Sequence, residues 1–476
     1  MGMILLCALL ALIAVILVRT LRFTPPAQEE SKGETVSCDE EAAVDALAQL
    51  VRCKTISYGD HSLEDDAEFD KLLSLLPQLY PNVLKTCRFE QLPDRALLFT
   101  WKGRENGNPA VLMAHYDVVP VEEENWEKPP FEAIIENGVM WGRGTLDTKV
   151  TFNGILSAAE NLIAQGFVPR HDIYFAFSGG EEVNGQGAVN IVKHFEQQGI
   201  TPAMVLDEGG AVVENVFPGV KKPCAMVGIA EKGMMNVTYS VSSGGGHASA
   251  PAPKTPIGRL SRACVRLETH PFKAHITAPV AKMFDTLGRH STFLYRMIFA
   301  NLWCFSPVLD LICRLSGGEL NALVRTTVAF TQMKGSKAPN VIPPSASMVS
   351  NMRLNPADSV EAALAYLKKT VGDETITLTV GDHMEPSPIS RMDCEGWERV
   401  KAAVQDTWPG CIVSPYLMVQ CSDSRHYRDL SDKVYRFSAM ALTSEERKTI
   451  HGNNERIRVE AIGKAVEFFM RVMKQC

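Results

Sequence analysis

Residues 110–117 read AVLMAHYD and residues 173–182 read IYFAFSGGEE: in each, five apolar residues break directly into small or ionisable ones. A third run, Ala203–Leu206 (AMVL), breaks the same way into Asp207-Glu208. Short continuous apolar runs mark strands covered on both faces, as in a sheet flanked by helices. Between the first two runs, Phe152, Ile155, Leu156, Ala159, Leu162 and Ile163 recur with the period of a helix and stop at Gly166. In an open α/β sheet, ligands bind beyond the carboxyl ends of the strands. His115-Tyr116-Asp117, Glu181-Glu182 and Asp207-Glu208 therefore stand where polar chemistry gathers. The loop 142–147 (GRGTLD) can bring Asp147 to the same edge, and His451-Gly452-Asn453-Asn454 returns from far downstream. Two imidazoles and several carboxylates converging on one edge suit a pair of divalent cations held by mixed N and O ligands.

The chain is long enough, at 476 residues with 46% hydrophobic and 22% charged, to bury a large core. A disordered tail, a fibre and a disulfide miniprotein are thereby excluded. Lys and Arg number 48 against 55 Asp and Glu, so no basic surplus points to nucleic acid. None of the twelve cysteines forms a C-x-x-C pair, which leaves neither a zinc ribbon nor a dense disulfide pattern.

Met1–Val18 carries no charged side chain and is followed by Arg19 and Arg22. Residues 1–22 are expected to be a signal peptide or a membrane anchor, in either case an address to the secretory pathway with a membrane-anchored or secreted body. Residues 23–37 read as a polar linker. From 38 to 231 the texture is α/β. Over 232–382 it becomes α+β, with strands at MMNVTYSVSS (234–243), VRTTVAF (324–330) and SMVSNMRL (347–354) and helices near 256–268 and 359–370. The α/β texture resumes over 383–476, so the second module reads as an insertion into the first.

The colinear motifs LMAHYDVVP, WGRGTLDTK, FAFSGGEEVNGQGA, LDEGG, GGGHASAP and HGNNE resemble the co-catalytic zinc metallopeptidases and aminoacylases, most of all their carboxypeptidase S-like branch. The resemblance implies an α/β catalytic domain, a mixed sheet flanked by helices, with an inserted α+β lid or dimerisation domain. It also implies two Zn2+ ions. Asp147 would bridge them, His115 and Asp207 would complete one site, and Glu182 and His451 the other. Asp207 is followed by Glu208, so the assignment within this pair stays open by one position. Asp117 would orient His115, Glu181 would be the general base, and His247 of the lid would stabilise the oxyanion, reaching in from a partner subunit in some relatives. Asn340 and Arg353 match positions that bind a substrate carboxylate. Asp423, Arg425 and His426, in CSDSRHY (421–427), resemble a stretch that lines the substrate site in the same branch and carry no assigned role.

Residues 293–315 (FLYRMIFANLWCFSPVLDLICRL) are more apolar than a small lid requires. A packed helix or dimer interface, a groove for a long acyl chain and a surface touching the bilayer all fit that composition. The functional expectation is hydrolysis of N-acyl amino acids with a long apolar acyl group, with condensation as the reverse. A carboxypeptidase or dipeptidase, and a metal-binding but inactive lipid carrier, are the alternatives.

Overall fold

The computed structural model of the protein describes residues 1–26, 35–215 and 217–476. Most of the linker expected over 23–37 lies outside the described residues. Along the chain the elements used below are α1 (Gly2–Arg22), α2 (Glu40–Val51), β1 (Arg88–Leu92), β2 (Ala96–Trp101), β3 (Ala110–His115), α3 (Lys149–Ala164), β4 (Ile173–Ser178), α4 (Gly187–Gln198), β5 (Met204–Val213) and β6 (Cys224–Glu231). There follow β7 (Gly233–Ser242), α5 (Pro256–Thr269), α6 (Ala278–His290), α7 (Phe293–Ala300), α8 (Leu302–Ser316), α9 (Gly318–Val324), β8 (Thr327–Lys334), β9 (Ser345–Leu354), α10 (Val360–Val371) and β10 (Thr377–Met384). The chain closes with α11 (Glu395–Thr407), β11 (Ile412–Met418), β12 (Val434–Leu442) and α12 (Val459–Lys474).

The three strands expected in the α/β part form: β3 and β4 each run one residue longer than expected, and β5 begins at Met204 and runs on to Val213. They belong to an eight-stranded mixed sheet of order β1-β2-β4-β3-β5-β12-β6-β11. The strands β4, β3, β5 and β12 run parallel to one another, whereas β1 with β2, β2 with β4 and β12 with β6 pair antiparallel. Every residue of β3 is buried, as its unbroken apolar run requires of a strand covered on both faces. Helices start and stop where local chemistry dictates. The Asp39 side chain caps α2 by accepting from the Ala42 N–H, and Gly199, in the left-handed region, ends α4.

A second core lies under the four-stranded antiparallel sheet β8-β9-β7-β10. Here the period of two is plain: Met235, Val237, Tyr239 and Val241 of β7, with Met348 and Met352 of β9, face inward. Leu260, Ala263 and Leu267 of α5 and Ala363, Leu367 and Val371 of α10 cover them.

The interval 232–382, expected as one lid, is spatially two pieces. Residues 278–324 leave the small sheet and pack in the large core through Val280, Met283, Phe284 and Leu287 of α6, Phe299 of α7, and Leu309 and Cys313 of α8. The apolar run 293–315 forms α7 and α8, which meet at 114°. Their inward residues are packed, while Phe293, Leu294, Trp303, Leu311 and Leu315 remain exposed.

Candidate metal centre and active site

Four loops and strand ends meet beyond β3, β4 and β5. His115 is the last residue of β3, Glu181 and Glu182 follow β4 in a short helical turn, Asp147 stands just before α3, and Glu208 comes from β5. The fifth element is the turn before α12, where His451 has φ +57°, a left-handed conformation that costs of order 1–3 kcal/mol outside glycine and clusters at functional sites.

Asp147 lies between the two imidazoles. Its Oδ1 is 3.1 Å from His115 Nε2 and its Oδ2 is 2.9 Å from His451 Nε2. Glu182 Oε2 is 3.0 Å from His451 Nε2, and Glu208 Oε1 is 3.3 Å from His115 Nε2. Donor atoms of His115, Asp147 and Glu182 lie within 4.8 Å of one another, as do those of His115, Glu181 and Glu208. The result is two adjacent clusters that share His115.

Glu208, and not Asp207, turns its carboxylate to this cluster. Successive residues of a strand point to opposite faces, so only one of the pair can look into the cleft. Asp207 Oδ2 instead accepts from the Ser424 N–H at 2.8 Å. The register of β12 against β5 slips between Asp207 and Gly210, a bulge that aims Glu208 outward.

Asp117 orients the first imidazole. Its backbone carbonyl is 3.0 Å from His115 Nδ1 and accepts from it, which leaves Nε2 facing the carboxylates. The Asp117 carboxylate, 3.4 Å from the same nitrogen, accepts from the Ser57 hydroxyl and from the backbone N–H groups of Glu181 and Glu182 at 3.2 Å each. One buried aspartate thus fixes both the histidine tautomer and the glutamate pair.

Electrostatics marks the cluster as incomplete without positive charge. Burial, with the neighbouring Asp423, Glu208 and Glu182 carboxylates outweighing His115, pushes Glu181 well above the usual carboxylate range. Burial likewise raises Glu182 and brings Glu208 up to about 8. Burial also opposes ionisation of Asp147, but hydrogen bonds from His115 and His451 prevail and hold it low. Hydrogen bonds to Asp147 and Glu182 lift His451 to about 11. The buried Glu182 Oε1 has no hydrogen-bond partner among the described residues. A surplus of carboxylates, an orphaned oxygen and two oriented imidazoles fit hard or borderline divalent cations.

Two residues with no role assigned from sequence hold the loops in place. The buried Glu455 accepts from the backbone N–H groups of Leu146 at 2.7 Å and Asp147 at 3.2 Å, and from Arg143 at 2.6 Å. Arg143 also donates to the Gly452 carbonyl at 2.8 Å. The loop that carries Asp147 is thereby tied to the turn that carries His451. Both residues sit inside quoted motifs, and burial of an Arg and a Glu was the signal that sequence could not show. Asp423 and Arg425 are buried nearby: Asp423 accepts from the Ser178 hydroxyl, and Arg425 donates to Asn184 Oδ1 at 3.0 Å.

The lid residues are placed differently. His247 is exposed on a two-residue ladder with Val341 and hydrogen-bonds Ser249 at 2.7 Å. Asn340 is on the same exposed end, its carbonyl accepting from the Ala248 N–H. Neither lines the cleft. Arg353, on β9, donates to Cys421 Sγ at 3.3 Å, and Cys421 lines the cleft wall.

From the carboxylates a cavity of about 870 Å³ runs over the sheet edge. Asp147, Glu181, Glu182, Glu208 and His451 form one end, and Val213, Met226, Met418, Met440 and Leu442 form an apolar wall. Glu319 and Ala322 of α9, with Arg447, also line it.

The chain matches the model of peptidase family M20/M25/M40 over residues 111–475. It belongs to that family. An N-fatty-acyl-amino acid synthase/hydrolase of Xenopus tropicalis is 36% identical, covering 98% of this chain and 93% of the relative. A probable carboxypeptidase S-like protein of Dictyostelium discoideum is 32% identical over 98% of this chain and 92% of its own length. Among solved structures, the M20 metallo-carboxypeptidase of Sulfolobus solfataricus superposes with a TM-score of 0.68 at 16% identity, covering 91% of this chain and 98% of that one. A dinuclear metal-binding M20 peptidase of Bacillus subtilis gives a TM-score of 0.54 at 13% identity, over 92% and 98% of the two chains. This M20 chain is accordingly a metal-dependent amidohydrolase of the metallopeptidase class, and it has the family's mixed-sheet fold.

Proposed function

We infer that this M20 enzyme hydrolyses the amide bond of N-acyl amino acids with long apolar acyl groups, at a pair of zinc ions. The carrying observation is the continuity of the carboxylate cluster with an apolar cavity wall. Each methylene buried there contributes about 0.8 kcal/mol, close to a fourfold gain in affinity. A cavity of about 870 Å³ is at the upper end of small-molecule sites, roughly 300–1,000 Å³, and has room for a long chain. The name of the Xenopus relative supports the same substrate class.

Asp147 would bridge the two ions, with His115 and Glu208 on one and Glu182 and His451 on the other. When bound, the ions supply polarisation of the amide carbonyl and acidification of water. Glu181, half-buried beside them and bound through its backbone to Asp117, takes the proton from water and passes it to the departing amine nitrogen. Asp117 keeps the His115 lone pair on Nε2 directed at the site. Arg353, bonded to Cys421 of the cavity lining, would meet the substrate carboxylate with its guanidinium fork. His247 and Asn340, exposed together at the end of the lid, would serve the cleft of a partner subunit in a homodimer. Because the barrier is lowered in both directions, the same site condenses fatty acid with amino acid when their concentrations favour it. The apolar α1 would hold the body at a membrane.

The test pairs an N-oleoyl amino acid with a Gly-x dipeptide. Turnover of the first with little of the second is expected. Preference for the dipeptide makes the enzyme a dipeptidase and removes the lipid reading, and silence on both with zinc bound makes it a carrier.

A further inference from the structure

The helix α8 is amphipathic in the inverted sense. Leu309 and Cys313, four residues apart, face the core, while Trp303, Val308, Leu311, Ile312 and Leu315 face outward, Trp303 at 57% and Leu315 at 80% exposure. An exposed apolar stripe of this length is unusual on a monomeric soluble body and marks an interaction surface. Its charges do not interrupt it: Asp310 is paired with Arg314 at 3.0 Å and with Arg325.

What covers the stripe is indicated by α1. This 21-residue apolar helix is almost wholly exposed, yet its C-terminal end is seated on the α6–α7 corner by specific polar contacts. Arg19 donates through Nε and Nη2 to the Ala300 carbonyl at 3.2 and 3.0 Å, and Asn301 donates to the hydroxyl of the fully buried Thr20 at 3.2 Å. Phe23 packs beneath Arg289, whose guanidinium lies 4.5 Å from the ring centroid. The junction of α7 and α8 is therefore held level with the end of the apolar helix. Wherever α1 enters hydrocarbon, Asn301 lies at the surface of that layer, with α8 beginning beside it.

The geometry points to α7 and α8 as a bilayer-docking platform, a second contact with the acyl-chain boundary of the membrane beside the α1 anchor. Its occupant is lipid, with Trp303 at the interface, a position indoles favour, and Leu311 and Leu315 in the acyl region. The platform leads into the cavity. Gly317 and Gly318, with φ +62° and +60°, make the break between α8 and α9, whose Glu319 and Ala322 line the cavity. A lipid-borne substrate would thus meet the cavity from the membrane side.

The proposal rests on α1 as a membrane segment, and its test separates the two. The full-length protein is reconstituted into phosphatidylcholine vesicles, with or without bromine on the acyl chains, and tryptophan emission is compared with that of Trp303→Phe. No tryptophan lies in α1, and of the six in the chain Trp303 is the exposed one. Brominated lipid is expected to quench the wild type, with Trp303→Phe losing most of that quenching while its hydrolysis of a water-soluble N-acetyl amino acid is unchanged. Equal quenching in both proteins, in a chain that floats with the vesicles, overturns the platform and leaves the anchor. A chain that does not float overturns both. Covalent trapping of two copies of Leu311→Cys through that position, in vesicles where Trp303 is not quenched, assigns the stripe to a second copy and also overturns it. None of these readouts needs fatty-acyl turnover, so an enzyme silent on the oleoyl substrate would leave the platform standing.

Discussion

Glu455→Gln would remove one charge and no volume from a residue that touches no substrate. In the native chain Glu455 and Arg143 are both almost fully buried, at 0% and 2% exposure, and are joined at 2.6 Å. Deleting one partner of a buried pair leaves the other charge uncompensated, at a cost of about 3–5 kcal/mol. The amide can still accept from Leu146 and Asp147, but its NH2 then faces a guanidinium. Arg143 must turn away, releasing the Gly452 carbonyl. The loops carrying Asp147 and His451 lose their tie, and with positioning groups of this kind metal affinity falls about 10–100-fold. Zinc titration of the chelator-stripped protein, with urea unfolding followed in parallel, measures both effects. The double variant Arg143→Met, Glu455→Leu leaves no stranded charge and is expected to recover stability toward wild type. It leaves the Leu146 and Asp147 N–H groups unpaired, so zinc affinity should stay low. Wild-type zinc affinity in Glu455→Gln would refute the positioning role, and full recovery of zinc binding in the double variant would refute the backbone contacts as its cause.

Three other outcomes are expected. Glu181→Gln should lower turnover by about 10²-fold or more, the lower range of general acid–base contributions, while metal analysis still finds both ions; loss of an ion would make Glu181 a ligand. Glu208→Gln should weaken one metal site in zinc titrations, whereas Asp207→Asn should leave zinc binding near normal and loosen the 422–424 turn, as seen by amide exchange at Ser424. Glu319→Gln breaks the partly exposed ion pair to Arg447, which lies at 2.8 Å, and turns a charged acceptor for the Tyr416 hydroxyl into a neutral one. Its stability cost should stay within about 1 kcal/mol, and the KM for a long-chain substrate should change more than that for a short one if α9 borders the acyl site.

Much of the site was legible because burial on both faces forces the strand ends to carry the polar chemistry. His115, Glu181 and Glu182 could be placed from the breaks after AVLMA and IYFAF alone. The choice between Asp207 and Glu208 could not, since both lie inside β5 and a register slip, set by pairing with a strand more than 200 residues later, decides which faces the cleft. The Arg143–Glu455 pair was hidden for the same reason: it joins residues 312 positions apart. Residues 278–324 were read as part of the lid because an amphipathic helix declares that it has an apolar face, and not which core will receive it. The small antiparallel sheet was plain, its alternation in β7 and β9 being a local property.

The centre draws His115, Asp147, Glu182 and Glu208 from the first half of the polypeptide and His451 from its last stretch. During synthesis all three carboxylates of the cage emerge early, but β12, whose pairing aims Glu208, and the closing imidazole follow more than 200 residues later. Cation loading would therefore be a late event of biogenesis, and a product ending shortly before position 451 would lack the closing imidazole, the Glu455 tie to the Asp147 loop and the buried face of α12 that completes the large core.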